Sequence, residues 1–380
     1  MTRLLKFCYL TFFYALFKLL PINRKVILFS SFYGRQYAGD PRAIFETLIA
    51  VRGVELKYVW VLGSMNSVPS AIRRQCTIVR RYSLRHVYFL AVAQYRIDNC
   101  QESYLLRPKE GVVYVQTWHG TPIKKIAQDI PAPIYDRIKI DWLRDSNSWT
   151  FLLAPSYFVA NMLASSFNID RKKVLPIGQP RNDALTSRFS KEDSIFKKKV
   201  FGDRDCDRLV VMYAPTFRDD DTSKQHVPFS LEQFSAKFSE KYVLLLRFHS
   251  NIITIGPTRT GDNDIINVSE VDDLQSLLRI TDVLVSDYSS IVFDFMILNR
   301  PIIYYPYDFE HYSNLLRGLY FSFEDLPGQV VHSEDDFFRA LSDFNDLSDN
   351  VSPEKNKIFN ECQKNNSSRA VLSHIGLIDD

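Results

Sequence analysis

The sequence predicts an α/β protein built from two doubly wound, mostly parallel sheets. Three observations predict it. Short apolar runs rich in Val, Ile and Tyr alternate with helical patterns after Pro21, the order that gives parallel strands covered by helices on both faces. The alternation occurs in two series, separated by a polar, charge-rich stretch. And 380 residues are too many for one ordinary core but comfortable for two.

The chain opens on residues 7–17, FCYLTFFYALF, bracketed by Lys6 and Lys18. This run is well short of the roughly 20 residues that cross a bilayer as a helix. No small-residue cleavage site follows it, which argues against a removed signal peptide. At about 100° per residue Arg3, Lys6, Thr11 and Lys18 fall in one arc, with an aromatic and aliphatic face opposite, as an interfacial helix requires. Residues 1–21 are therefore expected to lie on an anionic membrane surface, separable from the folded body; the competing reading is a first helix packed on that body.

The first series, 22–185, has strands expected at 26–29, 56–62, 112–116 and 151–154. Asp40 and Pro41, followed by AIFETLIA, supply an N-cap, a first-turn proline and an apolar stripe for a helix. Ser156 opens another helix in the same way. The stretch 186–208 reads as the linker. The second series, 209–350, has strands expected at 209–214, 242–247, 283–286 and 301–305, and 351–380 reads as a helix packing back on the molecule. Ligands of such sheets bind at the carboxyl ends of the strands.

Composition narrows the function. Hydrophobic residues at 46% and charged residues at 24% are ordinary for a globular protein, and a net charge of +3 is too small to argue for nucleic acid. The cysteines Cys8, Cys76, Cys100, Cys206 and Cys362 show no CxxC spacing, which disfavours a disulfide framework or a thiolate zinc site and fits a reducing cytoplasm. The acidic run Asp219, Asp220, Asp221 reads as a solvated loop, and no metal-ligand cluster stands out.

Four segments follow predicted strands and carry chemistry. Gln116-Thr117-Trp118-His119-Gly120-Thr121-Pro122 places a histidine beside a glycine that lets backbone approach a ligand, so His119 is a candidate general base, against a structural histidine in a tight turn. Arg218, in Tyr213-Ala214-Pro215-Thr216-Phe217-Arg218, and Arg247-Phe248-His249 put two guanidinium groups and an imidazole at successive strand ends. Together they suit a diphosphate; singly, each arginine is a surface ion pair. Ser289 and Ser290 stand at a helix N-terminus, able to bind phosphate oxygens or simply to cap. Asp294, one turn inside, meets a ribose or polyol, or orients Ser290.

Taken together, QTWHGTPIKK, GQPRND (178–183), YAPTFRDD, RFH and SDYSSIVFDF followed by NRPIIYYPYDFEHY resemble the CDP-glycerol glycerophosphotransferase family of teichoic acid enzymes. The resemblance covers nearly the whole chain after the N-terminal helix. It implies a GT-B fold, two Rossmann-like domains facing a cleft. It also implies transfer of glycerol phosphate or ribitol phosphate from CDP-glycerol or CDP-ribitol to a hydroxyl of a lipid-linked acceptor, with release of CMP, in teichoic acid or capsule synthesis. No cofactor beyond that donor is implied. The site residues it implies are His119 as base, with Gly120 and Thr121 shaping its loop; Arg181 on the donor phosphates; Pro215, Thr216 and Arg218 around the nucleotide; Arg247 and His249 on the diphosphate; and Ser289, Ser290 and Asp294 on the phosphate and polyol side. Trp118, Pro122 and Phe248 are counted with the donor-binding residues. Phe217 stands where relatives often carry Trp, and the chain lacks the large N-terminal regions of long polymerases. The expected location is the cytoplasmic face of the cell membrane, as a peripheral protein that can form homo-oligomers. Rival readings are a GT-B glycosyltransferase or epimerase using a nucleotide sugar, and a non-catalytic scaffold of envelope assembly.

Overall fold

The computed structural model describes residues 3–51, 55–63, 68–131, 135–201, 207–216, 227–248, 259–260, 264–309, 318–349 and 351–379. The chain forms two compact units. The first holds Met1–His119, Ile126–Asp183 and Glu361–Asp380; the second holds Gly120–Lys125 and Ala184–Asn360.

The first unit is a seven-stranded sheet of β1 (Asn23–Ser30), β2 (Lys57–Val61), β3 (Thr77–Val79), β4 (Ala93–Asp98), β5 (Val113–Gln116), β6 (Phe151–Ala154) and β7 (Val174–Pro176), in the order β3-β2-β1-β4-β5-β6-β7. Every pairing is parallel. The strand order reverses direction between β1 and β4, a topological switch point at which the loops leaving the sheet diverge and open a crevice. Phe29, Phe45, Trp60 and Leu153 fill one face of the sheet, joined by Val371, Leu372 and Ile375 from the last helix, Ser367–His374.

β4 was not among the expected strands. Its sequence, AQYRID, carries Arg96 and Asp98 into a buried position and runs without a break out of the helix Leu84–Val92. Arg96 is accommodated by donating to the Leu106 carbonyl at 2.8 Å, the Leu90 carbonyl and the Tyr14 hydroxyl at 2.8 Å.

That last contact corrects the reading of the N-terminal helix, α1 (Arg3–Phe17), as separable from the body. Leu10 and Tyr14 are buried, Tyr9, Phe13 and Phe17 pack on the same cluster as Leu28 and Leu90, and Tyr14 also donates to the Arg107 carbonyl. Leu5, Phe12 and Leu16, spaced seven and four residues apart and so on one helix face, are exposed. Among the described residues no helix is long and apolar enough to cross a membrane.

A second correction concerns α2 (Gly39–Ala50). Ala38, not Asp40, is its N-cap, and no side chain caps it. Asp40 sits in the first turn, fully buried, with its carboxylate turned to Arg181. Ser156 does cap the helix Tyr157–Phe167, accepting from Val159 N at 3.1 Å.

In the second unit β8 (Leu209–Ala214), β9 (Tyr242–Leu246), β10 (Arg259–Thr260), β11 (Ile265–Asn267), β12 (Val283–Ser286), β13 (Ile302–Tyr304) and β14 (Gln329–Val330) take the order β10-β11-β9-β8-β12-β13-β14. The edge pair β10 and β11 is antiparallel and the other strand pairings described are parallel. Tyr213, Leu244, Val285 and Phe337 lie in its core. The stretch expected as a linker carries the helix Lys191–Phe201, which Arg279 binds by a buried pair with Asp193. The segment Gly120–Lys125 is held in this unit by Lys125 N donating to the Gly318 carbonyl and Tyr320 N to the Ile123 carbonyl. The tail holds two helices, Pro353–Asn360 in the second unit and Ser367–His374 in the first.

Candidate active site

The switch point of the first unit brings Ser30, Asp98 and Gln116 into register at the carboxyl ends of β1, β4 and β5. His119 stands three residues beyond Gln116. Its Nδ1 lies 2.7 Å from the Asn99 carbonyl. A carbonyl oxygen only accepts, so Nδ1 carries the hydrogen and the neutral ring keeps its lone pair on Nε2. His119 is an exposed residue, although its ring stacks on Trp118 with centroids 4.2 Å apart and lies 6.4 Å from the Phe32 ring. Desolvation pushes its pKa below the ordinary 6.5, the nearby Arg181 charge acts the same way, and the hydrogen bond to Asn99 opposes both without reversing them. A neutral imidazole at physiological pH, with Nε2 free to take a proton, is what a general base requires.

The backbone around it is held in sparsely populated conformations. Phe32, Tyr33 and Trp118 have φ of 46°, 60° and 55°, left-handed values that bulky residues rarely adopt. Trp118 N donates to Gln116 Oε1 at 2.9 Å, and the Trp118 ring is buried against Phe167 with centroids 4.9 Å apart. Gly120, with φ of 141°, opens the segment that belongs to the second unit; Thr121 and Pro122 follow, both buried.

Arg181 is placed differently from expectation. Its Nη1 lies 2.6 Å from Asp40 Oδ2, its backbone N donates to Asp40 Oδ1 at 2.9 Å, and the pair is buried. The guanidinium meets a buried carboxylate, and its charge also reaches His119.

The second unit has its own switch point, between β8 and β12, where Ala214 and Ser286 are in register. Pro215 and Thr216 follow β8, and Asp287 follows β12. Asp287 Oδ1 accepts from Thr216 N at 2.8 Å and from Tyr288 N at 2.5 Å, tying the two loops together. Ser289 and Ser290 are half-buried at the start of the helix Ile291–Met296. The Ser290 hydroxyl makes no capping bond, and Ser289 Oγ accepts from Ile291 N only at 3.4 Å. Asp294 is buried in the first turn.

Two expected ligands are turned inward. Arg247 Nη1 donates to the carbonyls of Val268 and Val271 at 3.0 and 2.7 Å, and desolvation lowers its pKa. The Phe248 ring lies in the hydrophobic core. Arg218 and His249 lie outside the described residues, as does the acidic run 219–221. Among the described residues no cluster of His, Cys, Asp or Glu is placed to hold a metal ion, and Cys8, Cys76, Cys100 and Cys362 are free.

Sequence reasoning did not single out Asn99 or Asp287 and saw Asp40 only as a cap. Asn99 and Asp287 directly follow β4 and β12, a placement that for Asn99 is visible only once β4 is recognised, whereas Asp40 lies in the first turn of α2.

The family described as CDP-Glycerol:Poly(glycerophosphate) glycerophosphotransferase matches residues 12–376. The chain belongs to it. A Staphylococcus aureus teichoic acid glycerol-phosphate transferase is 32% identical over 349 residues, 86% of this glycerophosphotransferase-family chain and 86% of the relative. A Staphylococcus epidermidis teichoic acid poly(glycerol phosphate) polymerase is also 32% identical, over 81% of the chain, which spans only 44% of that longer protein. Among solved structures, a histidine-to-asparagine variant of the wall teichoic acid polymerase TagF, soaked with CDPG, superposes with a TM-score of 0.85 at 26% identity, covering 99% of both chains. The fold of this glycerophosphotransferase-family chain, α/β with parallel sheets, is shared with that polymerase.

Proposed function

We propose that this chain transfers glycerol phosphate from CDP-glycerol to a hydroxyl of a lipid-linked acceptor, releasing CMP, in teichoic acid or related capsule polymer synthesis. The observation that carries the reading is His119 at the switch point of the first unit, its Nδ1 bonded to a backbone carbonyl and its Nε2 free, in a chain of the glycerophosphotransferase family. Both relatives named above are glycerol-phosphate enzymes, which supports glycerol over ribitol.

In this mechanism the acceptor hydroxyl gives its proton to His119 Nε2, and its oxygen attacks the phosphorus that bears the glycerol. The bond from that phosphorus to the bridging oxygen breaks, and CMP leaves with the electron pair. The developing negative charge falls on the bridging oxygen, so cations and N–H groups at the donor phosphates are where rate is gained. We assign the donor to the second unit and the acceptor to the first, as in a GT-B enzyme. Thr216, Ser289 and Ser290 offer hydroxyl and backbone groups to the donor, Asp294 faces its polyol, and Arg218 and His249 supply positive charge. No metal or other cofactor takes part in this scheme.

The membrane reading belongs to the same proposal. Supporting it is the exposed row Leu5, Phe12 and Leu16 on α1, continued by the exposed Leu19 and Leu20. The chain would then work as a peripheral protein at the cytoplasmic face, beside its lipid-linked acceptor, while its body holds the other face of the helix.

Purified protein incubated with CDP-glycerol or CDP-ribitol and a lipid-linked acceptor tests the reaction, by following CMP. Acceptor-dependent CMP release from CDP-glycerol, exceeding that from CDP-ribitol, is the expected result. Turnover of nucleotide sugars instead, or no release from either donor, overturns the proposal.

A further inference from the structure

We propose that Asn99 is a positioning residue of the reaction, holding His119 in the one tautomer that leaves Nε2 free. The inference rests on His119 as the base and adds how the protein sets it.

The peptide plane joining Asn99 to Cys100 is pinned on both edges. Its carbonyl oxygen receives His119 Nδ1–H at 2.7 Å, and its N–H, that of Cys100, donates to Asp98 Oδ1 at 3.0 Å. The Asn99 side chain, fully buried, fixes the same residue from another direction. Its Oδ1 accepts from Phe32 N at 2.8 Å, and its Nδ2 donates to Ser31 Oγ at 3.2 Å. Ser31 Oγ in turn donates to the Ala38 carbonyl at 2.7 Å. The chain continues on the far side of the plane. The Cys100 carbonyl accepts from Gln116 Nε2 at 3.0 Å, and Gln116 Oε1 accepts from Trp118 N, the residue before His119.

The two primary amides therefore form a cradle. The Asn99 side chain anchors the residue whose backbone carbonyl accepts from Nδ1, and Gln116 holds the left-handed Trp118 that aims the ring. An amide suits both positions because each must donate and accept at once without carrying charge into a buried place. Asparagine at 99 also ties the base to the strained turn Phe32–Tyr33 at the end of β1, so the position of the imidazole is referred to three strands of one sheet. A free imidazole divides between two neutral tautomers; here only one satisfies the carbonyl, and the wrong one would leave Nε2 protonated and unable to accept.

The experiment uses the full chain. ¹⁵N NMR of its histidine rings, with the His119 signals assigned by their loss in His119→Asn, reads the tautomer above the histidine pKa. Nδ1–H is expected for the unaltered protein, and Nε2–H overturns the proposal without any variant. Asn99→Ala and Gln116→Met are then compared for CMP release and for CDP-glycerol affinity by calorimetry. Asn99→Ala keeps the backbone carbonyl that meets Nδ1 but frees it from Phe32 N and Ser31 Oγ, and is expected to lower kcat by about 10-fold, the lower end of the effect of disturbing a group that orients a histidine, with donor Kd unchanged and the Nδ1–H population reduced. Gln116→Met is expected to lower kcat in the same way with the tautomer retained. An Asn99→Ala enzyme that folds, keeps kcat and keeps the tautomer also overturns it. If His119→Asn itself retains turnover, the base assignment has failed, an outcome distinct from failure of the cradle.

Discussion

Asp40 and Arg181, 141 residues apart in sequence, meet in a buried ion pair with Nη1 2.6 Å from Oδ2. The carboxylate also accepts the Arg181 backbone N–H, so it satisfies two groups at once. Removing one partner of such a pair leaves an uncompensated buried charge, typically at a cost of about 3–5 kcal/mol. Asp40→Ala is expected to destabilise the protein by that order in urea denaturation, and Asp40→Asn, which keeps an acceptor for the backbone N–H, by less. Equal stability of Asp40→Ala and the parent protein would show that the pair contributes nothing.

The depressed pKa of His119 gives a pH dependence of known sign. A base is active when unprotonated, and a pKa below 6.5 extends the active form toward acid. The acidic limb of kcat/KM is expected to fall below pH 6.5, not at or above it. His119→Ala is expected to remove that limb and lower kcat by about 10² to 10⁴, the usual cost of losing a general base, with CDP-glycerol affinity little changed. A limb that persists unaltered in His119→Ala assigns the titration to another group.

Asp98 predicts a pH effect on stability. Burial, reinforced by Glu102, pushes its carboxyl from 3.8 up to about 7. A carboxyl whose pKa rises on folding binds its proton more tightly in the folded state, so folding is penalised progressively as pH climbs from about 4 to 7, and the full penalty stands above that. Asp98→Asn keeps an acceptor for Cys100 N and cannot ionise. Its melting temperature is expected to exceed that of the parent at pH 8 by more than at pH 4. Identical differences at the two pH values would exclude the buried charge as the cause.

The two sides of α1 are separable by substitution. Tyr14→Ala removes a buried ring and leaves Arg96 and the Arg107 carbonyl short of a partner, for an expected loss of about 3–5 kcal/mol. Phe12→Ser with Leu16→Ser alters only exposed positions and is expected to leave stability within about 0.5 kcal/mol while weakening sedimentation with anionic vesicles. Unchanged vesicle binding in the double variant would remove the exposed row from the membrane reading. A chain shortened to start near Asn23 is expected to lose stability, because the helix takes Leu10 and Tyr14 with it.

The strands were most legible where they are apolar throughout. Those at 151–154, 209–214 and 283–286 coincide with β6, β8 and β12, because a strand buried on both faces reads as an unbroken hydrophobic run. β4 escaped for the opposite reason. Arg96 and Asp98 make it look like a loop, and Tyr14, 82 residues away, together with the carbonyls of Leu90 and Leu106 makes Arg96 tolerable there, a set of partners that local pattern does not announce. The site was legible to the same depth. His119, Thr216 and Ser290 announce themselves by following recognisable strands, whereas Asn99 follows the strand that was missed. The inward turns of Arg181 and Arg247 were not legible, since a cation at a strand end reads alike whether it meets a ligand or a carboxylate and carbonyls of its own chain.

Asp183 accepts from the backbone N–H groups of Ser367 and Ser368, both at 2.9 Å, and Cys362 N donates to the Pro155 carbonyl. The partners are separated by about half the polypeptide, and everything between Ala184 and Asn360 belongs to the other unit. During synthesis, which runs from the N-terminus, the unit that emerges first from the ribosome must therefore wait for the final twenty residues to bury Phe29 and Phe45 under Val371 and Leu372. The second unit holds all of its sheet before that moment. Between the two units the order of birth and the order of completion are reversed, and a nascent chain halted near Asn360 would expose the unfinished face of the first unit to chaperones and proteases.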